Sequence, residues 1–325
     1  MRVIVVGLGV QGNKRQHHAG ADFVCSVDPL KTEANFKTVQ EVPLDSYDAA
    51  LVCLPDEPKY QVLQFLLKNG KHVLVEKPLW TESDEQILEL QDLAHQNKLV
   101  CYTAYNHRFE PHFIHMKELI DSGDLGEIYC CRLFYGNGTA RLVRDSAWRD
   151  QGIGVLADLG SHLLDTSNFW FATQAVQFEI VAMNHFENKS PDHAVIINKK
   201  SKPQFTFEMS LFSWRNHFVC DVIAEKGSAH IESLCKWGPS RFTYRQRILP
   251  SGRPPEQSVT LVQEDPTWAL EYAHFKNLIL NNTPTNLATD LWIQQELNCL
   301  AASYFLTRSS GTSIVGKLES AHSMG

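Results

Sequence analysis

The sequence predicts an α/β fold: an N-terminal Rossmann domain with a doubly wound parallel sheet, then an α+β domain with an open, mostly antiparallel sheet. Three observations carry this expectation. Val3 to Val6 is an unbroken, mostly β-branched run, and Gly7-x-Gly9-x-x-Gly12 follows it at once. Apolar runs then alternate with helically spaced segments as far as Ala104. Beyond about residue 118, short strand-like runs are separated by turn clusters instead. The expected organisation is a dinucleotide-binding Rossmann domain over 1–118 and a substrate-binding and oligomerisation domain over 119–325.

The opening run suits a strand buried on both faces of a parallel sheet. Gly7 permits a tight turn, Gly9 lets a pyrophosphate approach the backbone, and Gly12 lets the next helix lie close to the strand. That helix offers free N–H groups and a partial positive charge to phosphates. A second apolar run, Phe23 to Val27, ends in Asp28, where a carboxylate can take the adenine-ribose hydroxyls. A bare GxGxxG is a weak signal; the strand before it, the polar helical sequence after it and the acid at the expected distance strengthen it. Gly7, Gly9, Val10, Gln11, Gly12 and Asp28 are therefore candidate cofactor contacts. Asp28 would repel a 2′-phosphate, which favours NAD(H), while Lys31 nearby leaves NADP(H) open.

Residues 48–55 read as another buried strand, ended by Leu54-Pro55. Residues 60–69 carry Tyr60, Leu63 and Leu67 at helical spacing and stop at Gly70. Residues 71–76 form the next strand. Thr81 is the expected N-cap of a helix reaching about Asn97, and 99–104 is again strand-like. The ligand crevice of such a sheet lies beyond its C-terminal strand ends, where Gly7, Leu54, Pro55 and Glu76-Lys77-Pro78 fall. In the second half, strands are expected at 127–135, 178–184, 193–198, 205–210, 218–224, 229–233 and 242–248. Helices are expected at about 154–170, 267–281 and 288–307. The open face of the sheet needs covering, so a homodimer or homotetramer through it is expected.

With 325 residues, 43% hydrophobic and 21% charged, the chain is long enough for two sizeable cores and reads as soluble and globular. Thirty Lys and Arg against 37 Asp and Glu give −7, which points away from a nucleic-acid surface. No apolar run reaches membrane-spanning length, and the first residues read directly as a strand rather than a leader. The 8 cysteines form no CxxC pair, so reduced thiols in a cytoplasmic protein are expected. The histidines show no metal-ligand spacing, and no metal is expected.

The chemical candidates lie near the strand ends and in the helix that interrupts the second strand series. Lys77, between Glu76 and Pro78, precedes a bond that is cis more readily than most, and such a turn would aim it into the crevice. A lysine beside a nicotinamide can orient a hydroxyl or carbonyl oxygen and ease proton transfer; the alternative is a surface lysine at a strand end. Asp158 and His162 are i,i+4 on one helical face, with Asp165 one turn on. A carboxylate one turn from an imidazole fixes its tautomer and raises its basicity, as a base withdrawing an alcohol proton requires; the alternative is a helix start with a packed histidine. Asn106 and Arg108 can close over the nicotinamide or bind substrate, or be interdomain polar residues. Trp148-Arg149, with Arg132, Arg141 and Arg144, can receive an anionic or sugar substrate, or be a solvated basic surface.

Together these stretches resemble the glucose-fructose oxidoreductase / inositol dehydrogenase / rhizopine-catabolism (Gfo/Idh/MocA) family over nearly the whole chain. The matching motifs are Val6-Gly-Leu-Gly-Val-Gln-Gly12, Asp48-Ala-Ala-Leu-Val-Cys-Leu-Pro55, Gly70-Lys-His-Val-Leu-Val-Glu-Lys-Pro-Leu79, Tyr105-Asn-His-Arg-Phe109, Gly123-Asp-Leu-Gly-Glu-Ile128, Asp158-Leu-Gly-Ser-His162 and Ser309-Ser-Gly-Thr-Ser-Ile-Val315. The resemblance implies NAD(P)-dependent interconversion of a hydroxyl and a ketone, commonly on a sugar, cyclitol or nucleotide sugar. It implies that Lys77 and His162 are the catalytic pair, Asp158 the partner acid, and Glu76 and Pro78 positioning neighbours. Relatives on the same fold also reduce imines or tetrapyrroles, or sense nucleotides as co-repressors; the intact Lys77, Asp158 and His162 argue against the sensor. The chain departs from the pattern at Trp80, where a small residue is usual, at Lys59-Tyr60, where a histidine is common, and at Gly152-Ile-Gly154, which interrupts a glycine run.

Overall fold

Strands β1 (Val3–Val6), β2 (Phe23–Val27), β3 (Ala49–Val52), β4 (His72–Glu76) and β5 (Cys101–Ala104) form an all-parallel sheet in the order β2-β1-β3-β4-β5. Helices α1 (Val10–Ala19), α2 (Asp56–Lys68) and α3 (Asp84–Gln96) make the β1–β2, β3–β4 and β4–β5 crossovers, and the β2–β3 connection carries only two short 3-10 turns. The two-residue period of the strands splits their side chains between two cores. Val3, Val5, Leu51 and Leu74 face one layer, with Ala19 of α1 and with Tyr272 and Phe275 of α7 (Thr267–Leu280). Ile4, Val6, Val52, Val73 and Val75 face the other, with Leu63 and Leu67 of α2 and Ile87 and Leu90 of α3. The chain leaves β1 for β2 on one side and then passes to β3 on the other. This reversal makes a crevice at the carboxyl ends of β1 and β3.

The computed structural model describes residues 1–146, 149–198, 202–283, 285 and 287–309. It divides into two units: Met1–Phe109 with Pro266–Gln294, and Glu110–Asp265 with the chain from Gln295 onward. The expected split into continuous stretches did not include this return. Residues 266–294 come back to the first unit because α7 supplies the apolar side chains that close its first face.

In the second unit an eight-stranded sheet runs in the order β13-β12-β11-β10-β6-β9-β8-β7. Its strands are β6 (Ile128–Gly136), β7 (Glu179–Asn184), β8 (His193–Ile197), β9 (Gln204–Ser210), β10 (His217–Ala224), β11 (Gly227–Glu232), β12 (Ser240–Gln246) and β13 (Glu256–Leu261). Only β6 and β9 pair in parallel; the other neighbours are antiparallel. Alternate residues Cys131, Leu133 and Tyr135 of β6 are buried, as are Phe218, Cys220 and Val222 of β10. Helices α4 (Pro111–Asp121) and α6 (Ser161–Phe171) lie in the same unit, where Trp170 Nε1 donates to the Phe113 carbonyl at 3.0 Å and the Phe113 ring packs against both Trp170 and Phe218. Helix α5 (Ala140–Arg144) follows β6, and α8 (Ala288–Ser309) ends the described chain.

Four local expectations change. α3 begins at Asp84 rather than after Thr81; the Thr81 hydroxyl instead donates to the Ser83 carbonyl at 2.8 Å, and its N–H donates to Gln294 Oε1 at 2.8 Å. The buried stripe of α2 is Lys59, Leu63, Leu66 and Leu67, so a lysine joins the apolar face. The helix expected at 154–170 is a π turn, Leu156–Gly160, leading into α6. β13 was not anticipated, because its residues Glu256 to Thr260 are exposed and show no apolar alternation. The eight cysteines are free thiols, and among the described residues no helix is long and apolar enough to cross a membrane.

Candidate functional site

The glycines of the first turn are not equivalent. Gly7 has φ of 94°, and a Cβ there would collide with the Cys53 carbonyl. A Cβ on Gly12 would collide with the Gly7 carbonyl, so α1 lies against the turn only because Gly12 has no side chain. Gly9 has an ordinary φ of −73° and open space where a Cβ would stand. The protein's own packing requires the first and third glycines but not the second. The first turn of α1 carries no acid, and Val10 and Gln11 are exposed there.

Asp28, just past β2, holds this turn from the side. Its Oδ2 accepts the Leu8 N–H at 2.7 Å, and its Oδ1 accepts those of Leu30 at 2.9 Å and Lys31 at 3.1 Å. Partial burial opposes ionisation, but the three N–H donors and the Lys31 charge outweigh it and hold the carboxyl below its usual range. Past β3, Leu54 packs on the second core and Pro55 precedes α2.

Past β4, the two neighbours of Lys77 are each held by a buried cation. Glu76 Oε1 accepts from Arg15 Nε at 2.7 Å, and the Pro78 carbonyl accepts from Lys59 Nζ at 2.8 Å. Lys77 itself is half-buried, and the Lys77–Pro78 peptide is cis. Arg15 lies 4.3 Å over the Trp268 ring, and its Nη2 is 2.7 Å from Glu271 Oε2. Burial opposes the Arg15 charge, but the facing Glu271 and Glu76 raise its pKa above the ordinary arginine value. Burial pushes the Cys53 thiol well up, and Glu76 adds to the effect.

Asn106 is buried, with Nδ2 donating to Thr267 Oγ1 at 2.8 Å, so it ties the stretch after β5 to the first residue of α7. Arg108 stacks 5.6 Å over Tyr105 and, with it, Thr103 and Asp290, lines a cavity of about 140 Å³ beside β5. That volume is too small for a dinucleotide or a sugar.

In the second unit, His162 sits in the first turn of α6, 7% exposed, with its ring edge-on to Tyr135 at 5.8 Å. Asp158 lies in the preceding π turn and accepts from Arg149 Nη2 at 3.3 Å. Single π turns within helices are frequent at functional sites. Trp237 packs 5.7 Å from Tyr135, and the Lys236 ammonium lies 4.7 Å over Trp237. Burial, then the Asp158 and Glu110 charges, raise the Tyr135 hydroxyl, and burial raises Glu110.

The structure therefore gathers Gly7, Gly9, Gly12, Asp28, Leu54, Pro55, Glu76, Lys77 and Pro78 around the strand ends of one sheet, and Arg149, Asp158 and His162 around one helix start. The expected basic stretch is not gathered: Arg132 lies on the β6 face opposite Tyr135, and Arg141 and Arg144 are exposed on α5. Trp148 and the terminal motif from Ser310 to Val315 lie outside the described residues. Sequence reasoning missed Arg15, Lys59, Glu271 and Tyr135. The available signal was a charge on an apolar stripe: Lys59 falls i−4 from Leu63, and Glu271 falls between Thr267 and Phe275 at four-residue spacing.

Residues 1–105 match the description "Oxidoreductase family, NAD-binding Rossmann fold", and residues 113–230 match the "GFO/IDH/MocA C-terminal domain". An uncharacterised oxidoreductase of Schizosaccharomyces pombe is 35% identical over 42% of this chain and 38% of its own. The scyllo-inositol 2-dehydrogenase (NAD(+)) of Bacillus subtilis is 28% identical over 52% of this chain and 53% of its own. The chain thus spans about half the length, or less, of these curated relatives. Among solved structures, levoglucosan dehydrogenase in complex with NADH has the same fold, with a TM-score of 0.77 at 15% identity over 93% of this chain and 97% of that one. The glycine turn whose middle member is spared by its own packing, the acid past β2, the Glu-Lys-Pro end of β4 and the two domain matches agree: the chain belongs to the Gfo/Idh/MocA family of oxidoreductases with an NAD-binding Rossmann fold.

Proposed function

We propose that this chain interconverts a secondary hydroxyl and a ketone on a sugar, cyclitol or nucleotide sugar by hydride transfer with NAD(P). The observation that carries the reading is Gly9. Gly7 and Gly12 are accounted for by close packing, whereas the open space before Gly9 is accounted for by a ligand whose phosphates approach bare backbone. Val10, Gln11, Leu54 and Pro55 flank that approach, and Asp28, kept ionised, takes the ribose hydroxyls. The same charge favours NAD over NADP.

Bound there, the nicotinamide supplies the hydride acceptor for oxidation and the donor for reduction. Lys77 donates a hydrogen bond to the reacting oxygen, and Glu76 and Pro78 fix its direction. His162 takes the hydroxyl proton, and the negative charge of Asp158 favours the imidazolium that results. Arg149 orients Asp158. Trp237, partly exposed and packed on the buried Tyr135, offers aromatic surface to the apolar face of a ring substrate, and Asn106 and Arg108 bound the cofactor side. The names of the inositol and levoglucosan dehydrogenases support the substrate class. The residues of β6 and β10 that alternate with the buried ones are half-buried or exposed, and that sheet face supports a homodimer or homotetramer, which light scattering would measure; the free thiols support a cytoplasmic location.

A thermal-shift screen with NADH or NADPH, across sugars, cyclitols and nucleotide sugars, tests this reading, because a ligand of the native state raises Tm by mass action. Turnover on the best hit should fall at least about 100-fold in Lys77→Met and in His162→Asn while NADH still binds. Equal turnover in all three proteins would remove both residues from the reaction.

A further inference from the structure

Lys77 is bracketed. The residue before it is tied to α1 and the residue after it to α2, in both cases by a cation with almost no solvent exposure. Arg15 is 1% exposed and donates from Nε to Glu76 Oε1 at 2.7 Å. Lys59 is 2% exposed and donates from Nζ to the Pro78 carbonyl at 2.8 Å and to Asp56 Oδ1 at 2.7 Å. The parallel ladder between β4 and β5 ends at Glu76 opposite Ala104, so the backbone at Lys77 and Pro78 lies beyond the sheet's own hydrogen bonds. The ammonium of Lys59 takes over there.

Stability alone is a poor reason for this arrangement. Taking an ammonium or guanidinium out of water costs several kcal/mol, and replacing a buried ion pair by well-packed apolar side chains is often neutral or stabilising. A leucine or methionine at position 59 would continue the stripe formed by Leu63, Leu66 and Leu67. What an apolar residue cannot do is hold a carbonyl oxygen at one point and one angle.

We infer that Lys59, with Arg15 as its counterpart, is a positioning residue: one buried cation holds the Pro78 carbonyl and the other the Glu76 side chain, on either side of Lys77, and together they set where its amine stands. The inference rests on the proposed role of Lys77 and assigns Lys59 and Arg15 no contact with substrate or cofactor. Asp56 anchors the Lys59 ammonium from its exposed side.

The test uses the whole chain with Lys59→Met, which keeps the stem and removes the donor, and Lys59→Arg, which keeps a donor and the charge. Two readouts are taken. Lysine acetylation by acetic anhydride, read by mass spectrometry with NADH bound, reports the surroundings of Lys77 without needing a substrate. Steady-state kinetics then separate kcat from KM. Lys59→Met should change the labelling rate of Lys77 several-fold, leave the exposed Lys68 and Lys202 unchanged, and lower kcat about 10- to 100-fold, with the KM for cofactor shifted less than about twofold. Lys59→Arg should return both readouts toward wild type. A folded Lys59→Met with wild-type Lys77 labelling and kcat overturns the inference, as does a Lys59→Arg no better than Lys59→Met. If Lys59→Met does not fold, Glu76→Gln, which weakens the Arg15 side of the clamp, takes its place. Altered Lys77 labelling and a lowered kcat in that variant support the clamp, and wild-type values of both overturn it. A wild type that turns over no substrate defeats the proposed reaction, and the labelling comparison still decides the clamp.

Discussion

Arg15 Nη2 and Glu271 Oε2 stand 2.7 Å apart with side chains only 1% and 0% exposed. The same guanidinium serves Glu76, so one buried cation faces two carboxylates. Burial pushes the Glu271 carboxyl up to about 7, Arg15 opposes the shift, Glu76 adds to it, and Arg108 opposes it weakly. The cluster beneath the Lys77 turn therefore changes charge near neutral pH.

This has a signed consequence for stability. The Glu271 carboxyl binds its proton more tightly in the folded chain than in the unfolded one, whose value lies near 4.5. Its contribution is fully present below about pH 4.5 and is lost as pH rises through about 7, over a range worth roughly 3–4 kcal/mol. Glu271→Gln should remove that slope. Urea unfolding at pH 5.5 and pH 8 should show the variant gaining on wild type at the higher pH; parallel pH profiles would count against the assignment.

Removing the cation is worse than removing one acid. Arg15→Met leaves the buried Glu271 and the half-buried Glu76 without their shared partner, and it should cost about 3–5 kcal/mol. Arg15→Lys keeps the charge but not the fork that reaches both acids, so it should recover only part of the loss. Chemical denaturation of both variants at pH 7 measures the difference.

The three glycines should separate by phenotype. Gly12→Ala forces a Cβ into the Gly7 carbonyl and should cost about 1–3 kcal/mol of stability. Gly9→Ser meets no neighbour, and serine is a good residue to precede a helix, so stability should hold within about 0.5 kcal/mol. NADH affinity should nevertheless fall about tenfold or more in Gly9→Ser. Unfolding curves and a fluorescence titration with NADH read the two effects independently.

Asp28→Ala should lower both stability and the preference between cofactors. Three backbone donors lose their acceptor, at a cost of about 1 kcal/mol or more at pH 7. Because the folded carboxyl lies below its unfolded value, this contribution is present above about pH 4 and is lost as pH falls through the folded value. The ratio of NADH to NADPH affinity should shift toward NADPH, since a fixed negative charge beside the 2′ position is gone. Titrations with both cofactors check the ratio.

What was legible in the sequence was what local periodicity encodes. Val3 to Val6, Ala49 to Val52 and the Gly7-Gly9-Gly12 spacing announce a buried strand and a turn without reference to anything distant. Asp28 followed from its distance along the chain. Arg15, Lys59 and Glu271 were not legible, because a charged residue in a helix reads as part of its wet face. Only the partner brought from another element shows that it is dry. The π turn before α6 was hidden for a related reason, since Asp158 and His162 fit a continuous helix on paper as well as they fit the observed junction. β13 went unseen because a strand paired along one edge and exposed on both faces needs no apolar alternation.

Tyr272 and Phe275 close one face of a sheet whose strands are complete by residue 104. During synthesis the nascent cofactor-binding sheet must therefore wait, one side only partly covered by α1, until most of the chain has left the ribosome, and Arg15 waits with it for Glu271. A fragment ending before Pro266 should behave as a sticky, chaperone-bound species, and adding a peptide that carries the α7 sequence should restore its solubility.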